Sequence, residues 1–288
     1  PSAARARSVR RSSMRWMAFL LCAAAFLAAA PPRRVVSQAV GTDDLLMAVA
    51  EPSQIAALSH LGHDPRYAPS VAKAKRFPAL RNSTAEEILR FRPDLVVTTG
   101  YAPPESLVLL RRAGVKVHVI QRFERLDEVL GSLRELGRLL GREAAADAVV
   151  KATETRVATL RQRLEGVKPV RVMSAGIYPF VSGADTSFQD ICDHAGAVNA
   201  AAEAGLRGIV PMPGEQPLTW RVSVLIGPSE PGKDLAPQLK NLSPYRFLPA
   251  LKQGRVVTVP GALLAATSHR RVEAYEWVAR ALHPERFP

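Results

Sequence analysis

Glu86 in "TAEEIL" and Glu215 in "GEQPL" stand in matching surroundings, and that repetition is the first sign of chemistry in this chain. Residues 215–226, "EQPLTWRVSVLI", align without a gap on residues 86–97, "EEILRFRPDLVV", with Trp220 opposite Phe91 and apolar strand residues opposite apolar strand residues. A carboxylate in a helix's first turn is favoured by the dipole, sits at the surface and can be met bidentately by an arginine. Taken singly, each glutamate is equally explained as an N-terminal helix charge. Other candidates form no such pattern. His60 and His63 lie three apart, as metal ligands can, yet no further His or Cys cluster joins them, so no dedicated metal site is expected. The stretch "DTSFQDICDH", 185–194, gathers Ser187, Asp190, Cys192 and His194, but on a short helix capped by Asp185 or Thr186 they fall on different faces. There is no G-x-x-x-x-G-K-[ST] phosphate loop, no G-x-G-x-x-G after the first strand and no G-x-S-x-G elbow. The chain therefore reads as a binding protein without catalysis or cofactor, the rival class being a secreted two-domain α/β enzyme.

The elements that must position these residues follow from periodicity. From Arg33 onward, short β-rich runs alternate with amphipathic ones: "RRVVSQAV", "DDLLMAV", "IAALS", "AEEILRF", "DLVVTT", "ESLVLLRRAG", "VKVHVI". This is the βαβ rhythm of a parallel sheet covered on both faces, which binds ligands outside the carboxyl ends of its strands. From Glu143 to Leu164 the pattern becomes one long helix with Val150, Thr153, Val157, Leu160 and Leu164 on one face, about 33 Å at about 1.5 Å per residue. The rhythm then resumes with "VRVMSA", "VSVLIG" and "RVVTVP", and a helix from about His269 to Leu282 ends it. Residues 113–120, "AGVKVHVI", resemble residues 253–260, "QGRVVTVP", in the same order as the first match. The expected architecture is α/β: two related Rossmann-like lobes with parallel sheets, 31–140 and 167–288, joined by a backbone helix over 141–166.

Arg5, Arg7, Arg10, Arg11 and Arg15 precede an apolar run from Trp16 to Ala29, so residues 1–30 are expected to be a cleaved secretory signal peptide. Leu21 stands before Cys22 where a lipoprotein signal wants a small residue, and beyond this segment only Cys192 remains, so no internal disulfide is expected. Without those five arginines the formal charge falls from +13 to +8. It is spread through the chain without a Lys/Arg block or aromatic interleaving, which excludes nucleic acid as the expected partner.

The chain resembles the periplasmic substrate-binding proteins of ABC importers for cobalamin, haem and iron siderophores. The likeness is carried by "RVVSQAVGTDDLLMAVAEPSQIAALS", "TAEEILRFRPDLVVTTG", "GEQPL" and "LPALKQGRVVTVP", together with the helix between the lobes. The resemblance implies a periplasmic monomer that holds a metal chelate between lobes. It also implies that Glu86 and Glu215 dock onto arginines of the two permease subunits. Pro217 and "RVS" at 221–223 depart from the family pattern in the second lobe. Loops after the strands would line the cleft with His60, His63, Arg66, Tyr67, Tyr101, Tyr178 and Phe180, a set suited to a flat macrocycle such as cobalamin. Tyr67, close before Pro69, resembles the tyrosine that ligates haem iron in haem-binding members, and equally an aromatic wall against a corrin. Arg66 and Arg122 are expected either to receive carboxylates of an anionic chelate or to be solvated rim charges.

Overall fold

The computed structural model describes residues 30–229 and 234–287. The expected signal peptide, with its arginines and Cys22, lies outside the described residues except for Ala30. Among those described, no helix is long and apolar enough to cross a membrane.

The first sheet is built from β1 (Val35–Ser37), β2 (Ile55–Ala57), β3 (Leu95–Thr99) and β4 (Lys116–Ile120), all parallel, in the order β2-β1-β3-β4. Every residue of β3 is buried, Thr98 and Thr99 as well as the apolar Leu95, Val96 and Val97, as in a parallel strand covered on both faces. The helices used below are α1 (Val40–Val49), α2 (Ala85–Leu89), α3 (Pro104–Arg112), α4 (Leu126–Leu140), α5 (Glu143–Arg163), α6 (Ser187–His194) and α7 (Arg271–Leu282). The second sheet takes β5 (Val170–Ser174), β7 (Ala197–Asn199), β9 (Val224–Ser229) and β10 (Val256–Pro260) in the order β7-β5-β9-β10. Counted by appearance in each lobe, both sheets run second, first, third, fourth. Val35 pairs with Leu95 in one and Val172 with Val224 in the other, so the sequence repeat is also a repeat of register.

The likeness reaches the backbone. Arg92 and Arg221, at matching positions of the two aligned stretches, both adopt left-handed φ, 46° and 53°, which costs a side-chain-bearing residue about 1 kcal/mol or more. Each strained corner is held by an arginine from its lobe's first strand region. Arg34 donates from Nε and Nη2 to the Phe91 carbonyl at 3.0 and 2.6 Å, and Arg171 donates from the same atoms to the Trp220 carbonyl at 3.2 and 3.0 Å.

The long helix α5 buries Ala146, Val150, Thr153 and Leu160, and it packs on α1 and α4 from the first lobe and on α6 and α7 from the second. One apolar cluster consequently runs from Val35, Leu46 and Val97 through Leu133, Val150 and Leu160 to Val172, Ile191, Val259 and Tyr275. Helix α4 had no place in the sequence reading. Leu126, Val129, Leu130, Leu133, Leu136 and Leu140 give it a clear apolar stripe, and Gly141 at φ 65° turns the chain directly into α5. A second unforeseen unit is the antiparallel ribbon of β6 (Phe180–Ser182) and β8 (Ile209–Pro211), whose three-residue strands leave little period to read.

Candidate functional site

Parallel topology puts the loops that leave β1 to β4, and those that leave β5, β7, β9 and β10, on the carboxyl edges of their sheets, where a cleft belongs. Tyr67 sits half exposed in the loop after β2, with the Arg66 guanidinium 5.3 Å from its ring centroid. That loop reaches the other lobe: the Arg66 carbonyl would lie 3.9 Å from a Cβ on Gly261, the first residue after β10. Tyr101, after β3, is 81% exposed and meets the edge of Phe123 at 5.6 Å between centroids. Tyr178, after β5, is 72% exposed. Aromatic side chains thus stand open to solvent on loops of both lobes.

One expected placement changes, and the two arginines acquire partners. Phe180 does not lie in the loop with Tyr178; it opens β6, because pairing with Pro211 draws it into the ribbon. The two expected cleft arginines are already engaged. Arg66 forks onto the Asp64 carboxylate at 2.5 to 3.0 Å and holds that carboxyl below its ordinary pKa, while Arg122 pairs with Glu128 beside an open depression of about 500 Å³ along the edge strand β4. His60 and His63 share a 3-10 turn, His60 exposed and His63 bonded through Nε2 to the Phe77 carbonyl at 3.1 Å. Among the described residues no group of three or more His, Cys, Asp or Glu side chains is placed to hold a metal ion.

Of the two adjacent acids opening α2, Glu87 is buried and serves the local fold, pairing with Arg90 at 3.1 Å and accepting from the Arg81 amide at 3.2 Å. Glu86 is exposed, and its carboxylate has no hydrogen bond or ion pair among the described residues. Glu215 is likewise exposed without such a partner. It stands at the N-cap position of a 3-10 turn, Gln216–Thr219, where a helix was expected, and its side chain makes no cap hydrogen bond.

A polar hub that the sequence reading missed joins the two lobes. Arg271 is wholly buried and donates to the carbonyls of Phe123 (2.5 Å), Glu124 (2.8 Å) and Ala266 (2.8 Å) and to Asp190 (3.1 Å). Asp190 also accepts from the Tyr275 hydroxyl and from the Leu126 amide, and burial pushes the Tyr275 phenol up. The hub joins the end of the first lobe to α6 and α7. A second bridge joins Ser268 to Asp44 at 2.9 Å and Arg270 to the Pro69 carbonyl and Ser70 hydroxyl at 3.0 and 2.9 Å. The available signal was the pair of arginines at the start of α7, the end of a helix where a cation is disfavoured unless something compensates it.

The "DTSFQDICDH" expectation is corrected in part: Asp190 and His194, four apart on α6, share a face with 3.7 Å between Oδ1 and Nδ1, but both are engaged in packing the fold. His194 bonds the Asp190 carbonyl at 2.8 Å and stacks on Tyr275 at 4.5 Å, while Cys192 is buried with its thiol pushed up by desolvation. Neither ring nitrogen nor thiol is arranged for nucleophilic attack.

Comparison with known proteins agrees with this architecture. Residues 35–263 match the family described as periplasmic binding protein. The molybdate-binding protein MolA of Haemophilus influenzae is 27% identical over 252 residues, 77% of this chain and 70% of that protein. Among solved structures, the periplasmic haem-binding protein RhuT from Roseiflexus sp. RS-1 superposes with a TM-score of 0.76 at 22% identity, over 88% of this chain and 99% of that one. The periplasmic vitamin B12 binding protein BtuF of Vibrio cholerae gives 0.69 at 19%, over 90% and 99%. The family match spans both sheets and the helix between them, and the chain belongs to the periplasmic binding protein family.

Proposed function

We propose that this protein is a monomeric periplasmic receptor, exported by a signal peptide over residues 1–30, that carries a metal-bearing macrocycle between its lobes to an ABC importer. Cobalamin is the first candidate for the cargo, with haem and ferric siderophores as rivals. The observation that carries the reading is the exposure of Tyr67, Tyr101 and Tyr178 on loops of both lobes, since a broad ring needs aromatic faces on either side. A small oxyanion, the cargo named for the Haemophilus relative, is less well served: Arg66 and Arg122 are occupied by Asp64 and Glu128. Haem has one observation of its own, the half-exposed Tyr67 on the loop after β2, since a tyrosine can serve ferric haem iron as a ligand. Glu86 and Glu215 would then engage arginines of the permease, one per lobe.

Calorimetry with the chain from about Pro31, using cyanocobalamin, hemin, a ferric hydroxamate and molybdate, tests the cargo. One-to-one cyanocobalamin binding supports the corrinoid; a hemin spectrum abolished by Tyr67→Phe moves the assignment to haem; binding of molybdate alone refutes the macrocycle. Glu86→Arg with Glu215→Arg should abolish uptake and leave ligand affinity within about twofold, since surface charges far from a pocket contribute little to it.

A further inference from the structure

The β6–β8 ribbon has one inward and one outward face. Val181 pairs with Val210 and turns in, Val181 being buried in the second lobe's core with Met173, Ala175 and Met212 beside it. The alternate positions, Phe180 opposite Pro211 and Ser182 opposite Ile209, share the outer face. That face carries no charge, and it is open: Phe180 is 49% and Ile209 70% exposed. Continuing the repeat register back from Glu86 and Glu215, Ile209 corresponds to Leu80, which is 1% exposed. The duplicated fold therefore does not require an apolar residue to project here.

The chain leads from this face straight to a glutamate. Glu215 follows Pro211 by four residues, and the connecting segment is tied back to the ribbon by the Met212 amide on the Pro179 carbonyl at 2.8 Å and folded by the Gly214 amide on the Met212 carbonyl at 2.8 Å. Leu218, one turn beyond, is also exposed. At the ribbon's other end Arg207 and Asp185 form an exposed ion pair. An apolar patch beside an unpaired carboxylate, with a charged rim, has the composition of a protein interface: apolar anchors at the centre, polar groups around it.

We propose that the outer face of the ribbon, Phe180, Ile209 and Pro211, is a docking surface for the permease subunit that receives Glu215. The inference rests on the docking reading above, and it moves Phe180 from the ligand cleft to the partner interface. A macromolecular surface can cover a side chain that projects as far as Ile209, whereas a small ligand enclosed between lobes would leave it exposed. The second lobe thus compensates apolarly for a weaker anchor, a 3-10 cap in place of the helix that carries Glu86.

The test uses the full chain in its own host, with benzophenone-alanine placed at position 86, 209 or 216 and cross-linked proteins identified by mass spectrometry. Position 209 is expected to capture the same membrane subunit of an ABC importer as position 216. Ile209→Ser should lower the cross-link from 216 by about tenfold, the scale of removing one interface anchor; Ile209→Leu should restore it. Hemin and cyanocobalamin affinities should stay unchanged in both variants. Capture from 216 but not from 209 overturns the inference and leaves the docking reading standing. Loss of hemin or cyanocobalamin affinity in Ile209→Ser overturns it in favour of a ligand wall. If neither 86 nor 216 captures a permease, the docking reading fails and takes this inference with it.

Discussion

At the scale of single residues, Asp43 and His269 pull stability in opposite directions. Burial raises the Asp43 carboxyl from 3.8 to about 7, against hydrogen bonds from Ser37 and Ser59 that lower it. The Ser59 hydroxyl lies 2.5 Å from this carboxyl, and Gly62 leaves the room a Cβ would fill. The folded chain keeps that proton where the unfolded chain releases it, so this contribution is whole below about 3.8 and lost as pH rises to about 7. Burial lowers His269 from 6.5 to about 4, so its contribution is whole above 6.5 and lost as pH falls to about 4. Between those limits the two offset each other. His269→Asn should unmask stability that falls with rising pH, and Asp43→Asn stability that rises, each by about 1 kcal/mol per pH unit, read from urea midpoints between about pH 4 and 7. A flat profile in both variants would refute the assignment. Glu86 was legible at this scale because it recurs; Asp43 was not, because an acid in a helix's first turn looks the same whether it faces water or a serine.

Among elements, the strained corners after α2 and after the 3-10 turn at Glu215 are the sharpest mark of the repeat. Arg92→Gly and Arg221→Gly should each stabilise by up to about 1 kcal/mol, because glycine takes left-handed φ without steric penalty. Arg34→Ala should cost about 1 kcal/mol by releasing the Phe91 carbonyl, and Arg171→Ala somewhat more, since its guanidinium also meets Glu203. Chemical denaturation checks all four, and unlike signs for Arg92→Gly and Arg221→Gly would break the equivalence. The long helix α5 and the strands were readable because their periods extend over many residues. Helix α4 is equally periodic, with its buried stripe running from Leu126 to Leu140. The ribbon was not readable, since three residues cannot separate a strand from a loop.

For the whole molecule, the Arg271 hub and the shared core make the lobes one thermodynamic body. Arg271→Met strands Asp190 in the interior and should cost about 3 to 5 kcal/mol, whereas Arg271→Met with Asp190→Leu should recover at least half of that. Thermal melts of the three proteins decide it, and a double variant no better than the single one would remove the ion pair as the cause. The hub also bonds the Phe123 carbonyl, and the Phe123 ring touches Tyr101, so the polar bridge between lobes is tied to one side chain of the proposed cleft.

The sequence by itself determined the class of fold, the duplication and the two recurring glutamates, because hydrophobic period and local repetition are properties of neighbouring residues. Tertiary structure alone decided which acid of the Glu86-Glu87 pair faces outward, that Arg66 and Arg122 are occupied, and that Phe180 lies on a ribbon. It alone brought Asp190 to Arg271 across 81 residues, for such contacts depend on desolvation and partner geometry that no local pattern encodes.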